Sequence, residues 1–385
     1  MKVALLANLK KNAPTWAGMS PDQWDDLDSE KTIEAIMAAL ESNGHDVTFL
    51  EGNLSLVDKL PKLQPDICFN ICEGHFGDAR EAQIPALLEM LRIPYTGSKV
   101  LALALALDKP MTKRVLAYHE LPTPPFQSFE RLTEELDPAL KFPLFVKPSR
   151  EGTGMGVSAE SIVHDETQLR AQLRRSFERY DQPALVGALH RRREITMGVI
   201  GNLISPVARR IPDDEEAPRM SKGLHFFPPL EVDMAKYPEE EMGVYTNRIK
   251  VEMAESFNYL CPAPVEPELL EQLRWLAAAV FRVTDCLDVA RVDFRLDMHD
   301  HNKPYILESI RCPASTRLQR SLHRGRGRRL DVRAAHQSDF GRGVGAVWDG
   351  VGGEGRMAGG EDATLALGRK TRSILLTGGT IVGAL

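Results

Sequence analysis

The sequence predicts an open, mostly parallel α/β layer at its N-terminal end, followed by α+β units. Three observations carry this. Apolar strand-like runs alternate with 3.6-period helical stretches over residues 1–100. A T-P-P run at 123–125 interrupts the chain. From residue 126 onward, strands joined by a Gly-rich loop and polar turns replace the regular alternation.

K-V-A-L-L-A (2–7) reads as a buried first strand. Residues 29–44 read as a helix capped by Asp28 or Ser29 and stopped at Gly44. D-V-T-F-L and P-D-I-C-F-N-I-C are strands, E-A-Q-I-P-A-L-L-E-M-L is a helix, and I-P-Y-T-G-S ends in a turn. The stretch 101–120 is helical around D-K-P-M-T-K. F-P-L-F-V-K-P is a strand running into S-R-E-G-T-G-M-G-V-S, and a helix begins at H-D-E-T. P-A-L-V and E-I-T-M-G-V-I-G-N are strands; the polar stretch 212–250 reads as a mobile loop. A helix over 267–283 leads into V-D-F-R-L, a polar turn, and Y-I-L-E. There are no internal repeats.

At 385 residues the chain holds two or three domains. Its net charge of −6 argues against nucleic acid and anionic membranes as partners, and no run of 18 apolar residues spans a bilayer. Cys68, Cys72, Cys261, Cys286 and Cys312 are few, odd in number and scattered. They read as thiols of a reducing, cytoplasmic compartment, with Cys68 and Cys72 buried. The charge is uneven: residues 309–385 carry a net +7 and 15 of the 29 glycines, which leaves −13 on residues 1–308.

Several residues are candidates for chemistry, each with a plainer reading. Asp293 and Glu308 can sit side by side on one face of a hairpin, where two carboxylates beside Arg291 suit Mg²⁺ (or Mn²⁺) on phosphate oxygens; the plainer reading is two exposed carboxylates. The loop with Glu151, Gly152, Thr153, Gly154 and Gly156 follows a strand ending in Lys147, so its N–H groups could approach a phosphate. It lacks the Walker spacing and alone is a turn. Lys109 and Lys250 could add phosphate charge, or lie on the surface. Glu194 could accept from ribose hydroxyls, or cap a strand. His75 sits where a strand ends in an open α/β sheet, a common ligand position, or is an idle loop residue.

The order of these residues, more than any one of them, is informative. Together with I-P-Y-T-G-S-K-V-L-A-L-A-L-A-L-D-K-P-M-T-K, F-V-K-P-S-R-E-G-T-G-M-G-V-S, R-E-I-T-M-G-V-I-G-N, C-P-A-P and A-R-V-D-F-R-L-D…P-Y-I-L-E, it resembles the ATP-grasp ligases, especially the D-alanine–D-alanine ligase group, over 1–308. The resemblance implies a Rossmann-like N-terminal domain (1–100), a central ATP-grasp lobe (101–186) and a C-terminal lobe (187–310). Residues 311–385 would then be an irregular or disordered Gly/Arg-rich tail. It further implies an ATP-dependent carboxylate–amine ligase making a cell-wall dipeptide through an acyl phosphate. Lys109 and Lys147 would hold ATP phosphates, Glu194 the ribose and Asp293 with Glu308 the Mg²⁺. Lys250 would reach in from a closing loop, and Arg291 would face the tetrahedral oxyanion. The expected partners are ATP and amino acids, with a homodimer compatible.

The chain departs from that family's pattern in four places. The hinge glutamate after A-L-V is replaced by G-A-L-H-R-R, and the aromatic after the loop lysine by Val251. The short N-terminal turn with its amine-binding glutamate becomes a longer segment in which Glu30 is the equivalent. The second and third of these changes leave open which amino acids are joined. Glu308 is followed by S-I-R-C-P-A-S-T-R instead of a metal-ligating asparagine and a Pro/Gly turn. A reading-frame error accounts for the last. Permitted codons for residues 309–317, read two bases later, give Asn-Pro-Leu-Pro-Gly-Leu-Asn-Pro. Shifts at 187–192 and 320–332 similarly recover a hinge glutamate and a helical end. The other account is a divergent, disordered tail. With the frame error, the chain as written is expected to be weakly active or inactive, and poorly stable. The competing functions are a ligase of other amino acids and a nucleotide-binding protein without catalysis.

Overall fold

The computed structural model describes residues 1–188, 193–203, 221, 223–233, 259–297 and 300–310. The expectations for Lys250, Val251, Cys312, hinge residues 189–192 and the tail 311–385 lie outside these.

The N-terminal layer is a parallel three-stranded sheet of order β2-β1-β3, built from β1 (Lys2–Ala7), β2 (Asp46–Glu51) and β3 (Ile67–Asn70). Side chains alternate across it, so both faces need cover. Val3, Leu5 and Ala7 pack under α1 (Glu30–Ser42), through Ile33, Ile36 and Leu40. Ala4 and Leu6 face α2 (Leu56–Leu63) and α3 (Gln83–Leu91). Ser29, not Asp28, caps α1: its hydroxyl accepts the Thr32 N–H. α2, which carries Pro61 inside, is not among the helices the sequence predicts.

The expected single helix over 101–120 is two helices, α4 (Val100–Leu107) and α5 (Lys109–Tyr118). Asp108 leaves helical geometry at φ −83°, ψ 93° and caps α5 by accepting the Met111 N–H at 2.9 Å. Pro110 then lies in the first turn of α5, where its missing N–H costs nothing.

An antiparallel four-stranded sheet follows, ordered β4-β7-β5-β6. Its strands are β4 (Phe126–Phe129), β5 (Leu144–Pro148), β6 (Ile162–Val163) and β7 (Ala184–Ala188), and α6 (Glu166–Tyr180) covers one face through Leu169 and Leu173. The last sheet is β8 (Glu194–Gly201), β9 (Leu224–Phe226), β10 (Leu230–Val232), β11 (Tyr259–Leu260), β12 (Val289–Asp297) and β13 (Lys303–Ile310). Its buried face packs on α7 (Pro267–Val283), where Leu273, Leu276 and Phe281 meet Ile195, Met197, Val292, Phe294 and Ile306.

β9 and β10 correct the expectation that 212–250 is all loop. Phe226 packs against the core, and Glu231 forms a two-pronged ion pair with Arg193 at 2.6 and 2.7 Å. Cys68, Cys72 and Cys286 are buried free thiols, and Cys261 is exposed. Among the described residues no helix is long and apolar enough to cross a membrane.

Candidate active site

The four-stranded and six-stranded sheets face each other across an open cleft. It is lined by Lys109, Lys147, Glu151, Gly152, Thr153, Gly154, Glu194, Asp293 and Glu308 among others. Nine sequence candidates thus meet in one place.

On the β12–β13 side, the ladder pairs Asp293 with Glu308, so both carboxylates share the cleft face. This depends on a bulge. Phe294 pairs with Ile306, and an unbroken ladder would put Leu307 opposite Asp293 and turn Glu308 toward the core. One extra residue in β13 sends Glu308 into the cleft while Ile306 stays fully buried.

Asp293 is held rigidly. Arg291 forks onto it (Nε to Oδ1 2.9 Å, Nη2 to Oδ2 2.7 Å), and the Thr196 hydroxyl donates to Oδ1 at 2.8 Å. Both members of this ion pair are buried. Oδ2 keeps an acceptor direction beyond Arg291. Period-two spacing also puts Arg295 on this face, where it pairs with Glu194 at 2.8 Å. Arg295 lines the cleft and was not a sequence candidate.

The opposite wall is cationic. Lys147 comes from β5, and its Nζ lies 3.7 Å from Glu308. Lys109 is buried at the start of α5 and donates to the Glu151 carbonyl. Lys113, one helical turn further, also lines the cleft and donates to Thr123 Oγ1 at 2.6 Å. Burial pushes Lys109 below the ordinary lysine range, against the pull of Glu308. Lys113 is pushed to about 7 by burial and then by the Lys147 charge. Three amines converging on one cleft make a site for a polyanion. Lys113 is not among the sequence candidates, although its i,i+4 spacing from Lys109 is visible in the sequence.

The Gly-rich loop is shaped by left-handed backbone at Thr153 (φ 54°), Gly154 (φ 76°) and Gly156 (φ 72°). A Cβ on Gly156 would stand 2.6 Å from Pro148 Cγ. Gly156 itself turns away from the cleft, and its N–H goes to Asp22 Oδ2 at 2.9 Å. Glu151 lines the cleft, but its carboxylate is engaged by Arg80 (2.9 Å) and Gln182 (2.7 Å). Arg80 Nη1 also donates to the Arg150 carbonyl at 2.9 Å. Gly187 and Ala188 line the cleft at the end of β7.

Glu30 and His75 lie elsewhere too. Glu30 is on the surface at the start of α1, paired with Lys11. His75 joins Trp16, Trp24 and Phe76 in a ring cluster, 5.3 Å from Trp24 between centroids.

Comparison with known proteins agrees with this architecture. The family model described as "D-ala D-ala ligase C-terminus" matches residues 115–216 and 229–322. A D-alanine–D-alanine ligase of Syntrophotalea carbinolica is 34% identical over 285 residues, covering 74% of this chain and 81% of the relative. One of Pelotomaculum thermopropionicum is 31% identical, over 75% of this chain and 83% of its own. The uncharacterized protein y4sG of Sinorhizobium fredii is 31% identical, over 74% and 78%. The fold matches the crystal structure of D-alanine–D-alanine ligase from Bacillus anthracis complexed with ATP, with a TM-score of 0.58 at 20% identity, covering 84% of this chain and 92% of that one. Fold and relatives together define an ATP-dependent ligase of the ATP-grasp type. The chain belongs to the D-alanine–D-alanine ligase family.

Proposed function

We propose that the cleft activates one amino acid's carboxylate with ATP and joins it to the amine of a second, with D-alanine as the first substrate to test. The carboxylate oxygen attacks the γ-phosphorus and ADP departs. The deprotonated amine then attacks the acyl carbonyl, inorganic phosphate leaves, and a dipeptide results. The convergence of Lys109, Lys113 and Lys147 opposite Asp293 and Glu308 carries this reading. Phosphoryl transfer needs positioning and charge neutralisation more than covalent chemistry.

In this reading Lys109, Lys113 and Lys147 bind the phosphates, and the loop at Gly152–Gly154 covers them with backbone N–H groups. Glu194 accepts from the ribose. Lys250, outside the described residues, is expected to add a further phosphate charge. Arg291 holds Asp293 in orientation, and the forked geometry makes that its first task.

The residues fit a hard divalent cation. Asp293 and Glu308 are oxygen donors on one face. Among the described residues no group of three or more His, Cys, Asp or Glu gathers to cage a metal alone. Two carboxylates plus substrate phosphates and water suit Mg²⁺ better than a closed protein cage does. Bound there, Mg²⁺ would neutralise phosphate charge. The cytoplasm, where ATP and amino acids are available, is the expected location.

Amino-acid-dependent release of ADP and phosphate, measured over D- and L-amino acids with Mg-ATP, tests the reading. Turnover with D-alanine supports it in full. Turnover with another amino acid alone keeps the ligase and replaces the substrate. ATP binding without turnover on any amino acid, in the frame-restored protein as well as in the chain as written, refutes it. The long segment in place of a short N-terminal turn favours the second outcome.

A further inference from the structure

The segment 13–29 and the loop after β3 bring two unusual features together beside the Gly-rich loop. The first is a group of carboxylates with too little positive charge. The Asp26 side chain is 8% exposed, and its Oδ1 is buried and accepts no hydrogen bond. Its other oxygen meets Arg80 at 3.2 Å. Asp28 is buried two residues on, and Glu73, in the loop after β3, lies near enough to feel both charges. Burial pushes Asp28 up to about 7, with the Asp26 charge adding to it. Burial raises Glu73 well above the ordinary carboxyl range, with the charges of Glu81, Asp26 and Asp28 adding to it. Arg80 opposes these charges, but it is already paired with Asp26 and Glu151. Lys10 is drawn off to Asp25 and Lys11 to Glu30.

The second feature is the ring cluster. Trp16, Trp24 and Phe76 lie with centroids 5.8, 6.1 and 5.9 Å apart. Trp24 is buried, but Trp16 is 46% and Phe76 57% exposed. Trp24 and Asp26 are two residues apart, and Phe76 is three from Glu73. A desolvated anionic group next to open aromatic faces is the chemistry that holds an organic cation on an apolar stem. A lone α-ammonium would neutralise one carboxylate and need no such wall.

We propose, on the basis of the ligase reading, that this corner is a subsite for an amino-acid substrate whose side chain ends in an ammonium or guanidinium group. Asp26, Asp28 and Glu73 face the charge, and Trp16 with Phe76 cover the stem. The site lies against the Gly-rich loop: Asp26 Cβ would be 3.8 Å from a Cβ on Gly152, a residue that lines the ATP cleft. A substrate here is therefore next to the nucleotide.

The experiment is calorimetric titration of the full chain, with Mg-ATP present, using lysine, norleucine and alanine in both chiralities. Norleucine has a similar stem without the charge. Lysine of one chirality is expected to bind at least ten-fold more tightly than norleucine. Trp16→Ala and Phe76→Ala should each weaken lysine several-fold and leave ATP affinity unchanged. Because both rings are exposed, these variants should fold. Asp28→Asn and Glu73→Gln should bring the lysine-to-norleucine ratio toward one. Equal binding of lysine and norleucine, no binding by any of them, or full lysine affinity in Trp16→Ala and Phe76→Ala overturns the subsite. The ligase reading is judged separately by amino-acid-dependent ADP release: turnover with alanine alone would sink the subsite and spare the ligase.

Discussion

The Asp22 carboxylate accepts the backbone N–H of Gly156 at 2.9 Å, although 134 residues separate them. The Tyr180 hydroxyl at the end of α6 donates to the same carboxylate at 2.8 Å. The N-terminal segment is thus tied to the loop that lines the phosphate side of the cleft. Hydrogen bonds to a charged group contribute about 1.5–3 kcal/mol. Asp22→Ala should therefore raise KM for ATP by roughly ten-fold or more, with a smaller change in kcat. Asp22→Asn keeps an acceptor oxygen and should recover part of the loss. Steady-state kinetics on the two variants distinguishes this from general destabilisation, which would lower active-enzyme concentration and leave KM alone.

Lys113 provides a proton-counting test. Its amine is pushed to about 7, so at pH 8 the free enzyme holds it mostly neutral. A bound triphosphate favours the ammonium. ATP binding at pH 8 should therefore take up about one proton, and uptake should fade toward pH 6. Calorimetry in buffers of different ionisation enthalpy measures it, and Lys113→Met should abolish it. The stability consequence has a definite sign. The folded chain binds this proton less tightly than the unfolded one does. Lys113 therefore costs stability in full below about 7, and stability recovers as pH rises toward 10.5.

Arg291 and Asp293 are both buried, with the two Arg291 nitrogens on the two carboxylate oxygens. Arg291→Ala leaves a buried carboxylate with Thr196 as support. It should destabilise the fold by about 3–5 kcal/mol in urea unfolding. Adding Asp293→Asn to that variant should restore part of this. No recovery in the double variant would mean that Arg291 acts through packing.

Glu308→Gln removes charge with little change in shape. If Glu308 holds a divalent cation, the Mg²⁺ concentration needed for half-maximal ATP binding should rise by at least roughly 10–100-fold. An unchanged requirement would remove Glu308 from the metal site.

The coding DNA tests the frame reading. Codons that yield Asn and a Pro/Gly turn after Glu308 when shifted are expected, and a frame-restored protein should turn over faster than the chain as written. Codons that recover neither motif, or equal turnover, would leave a divergent tail as the account.

Short-range pattern made much of this site legible. R-V-D-F-R puts Arg291, Asp293 and Arg295 on one strand face, and Lys147 lies near the end of strand β5, just before its Gly-rich loop. The two α5 lysines share a helix face, yet only Lys109 is a sequence candidate, because a lysine on a helix reads as surface. Helix α2 escaped notice because it is eight residues long and contains Pro61. β9 and β10 did so because three-residue strands show no period. The contacts of Asp22, Asp26 and Arg80 had no local signal. Their partners lie far along the chain, and only tertiary packing brings them close.

The bulge between Asp293/Phe294 and the facing strand implies a particular evolutionary fragility. A surplus residue, Leu307, decides whether Glu308 meets nucleotide or hydrocarbon. Homologous ligases should tolerate exchanged side chains along this ribbon more readily than a changed residue count. A lineage could silence its catalyst through a three-base indel there while every acidic codon survives.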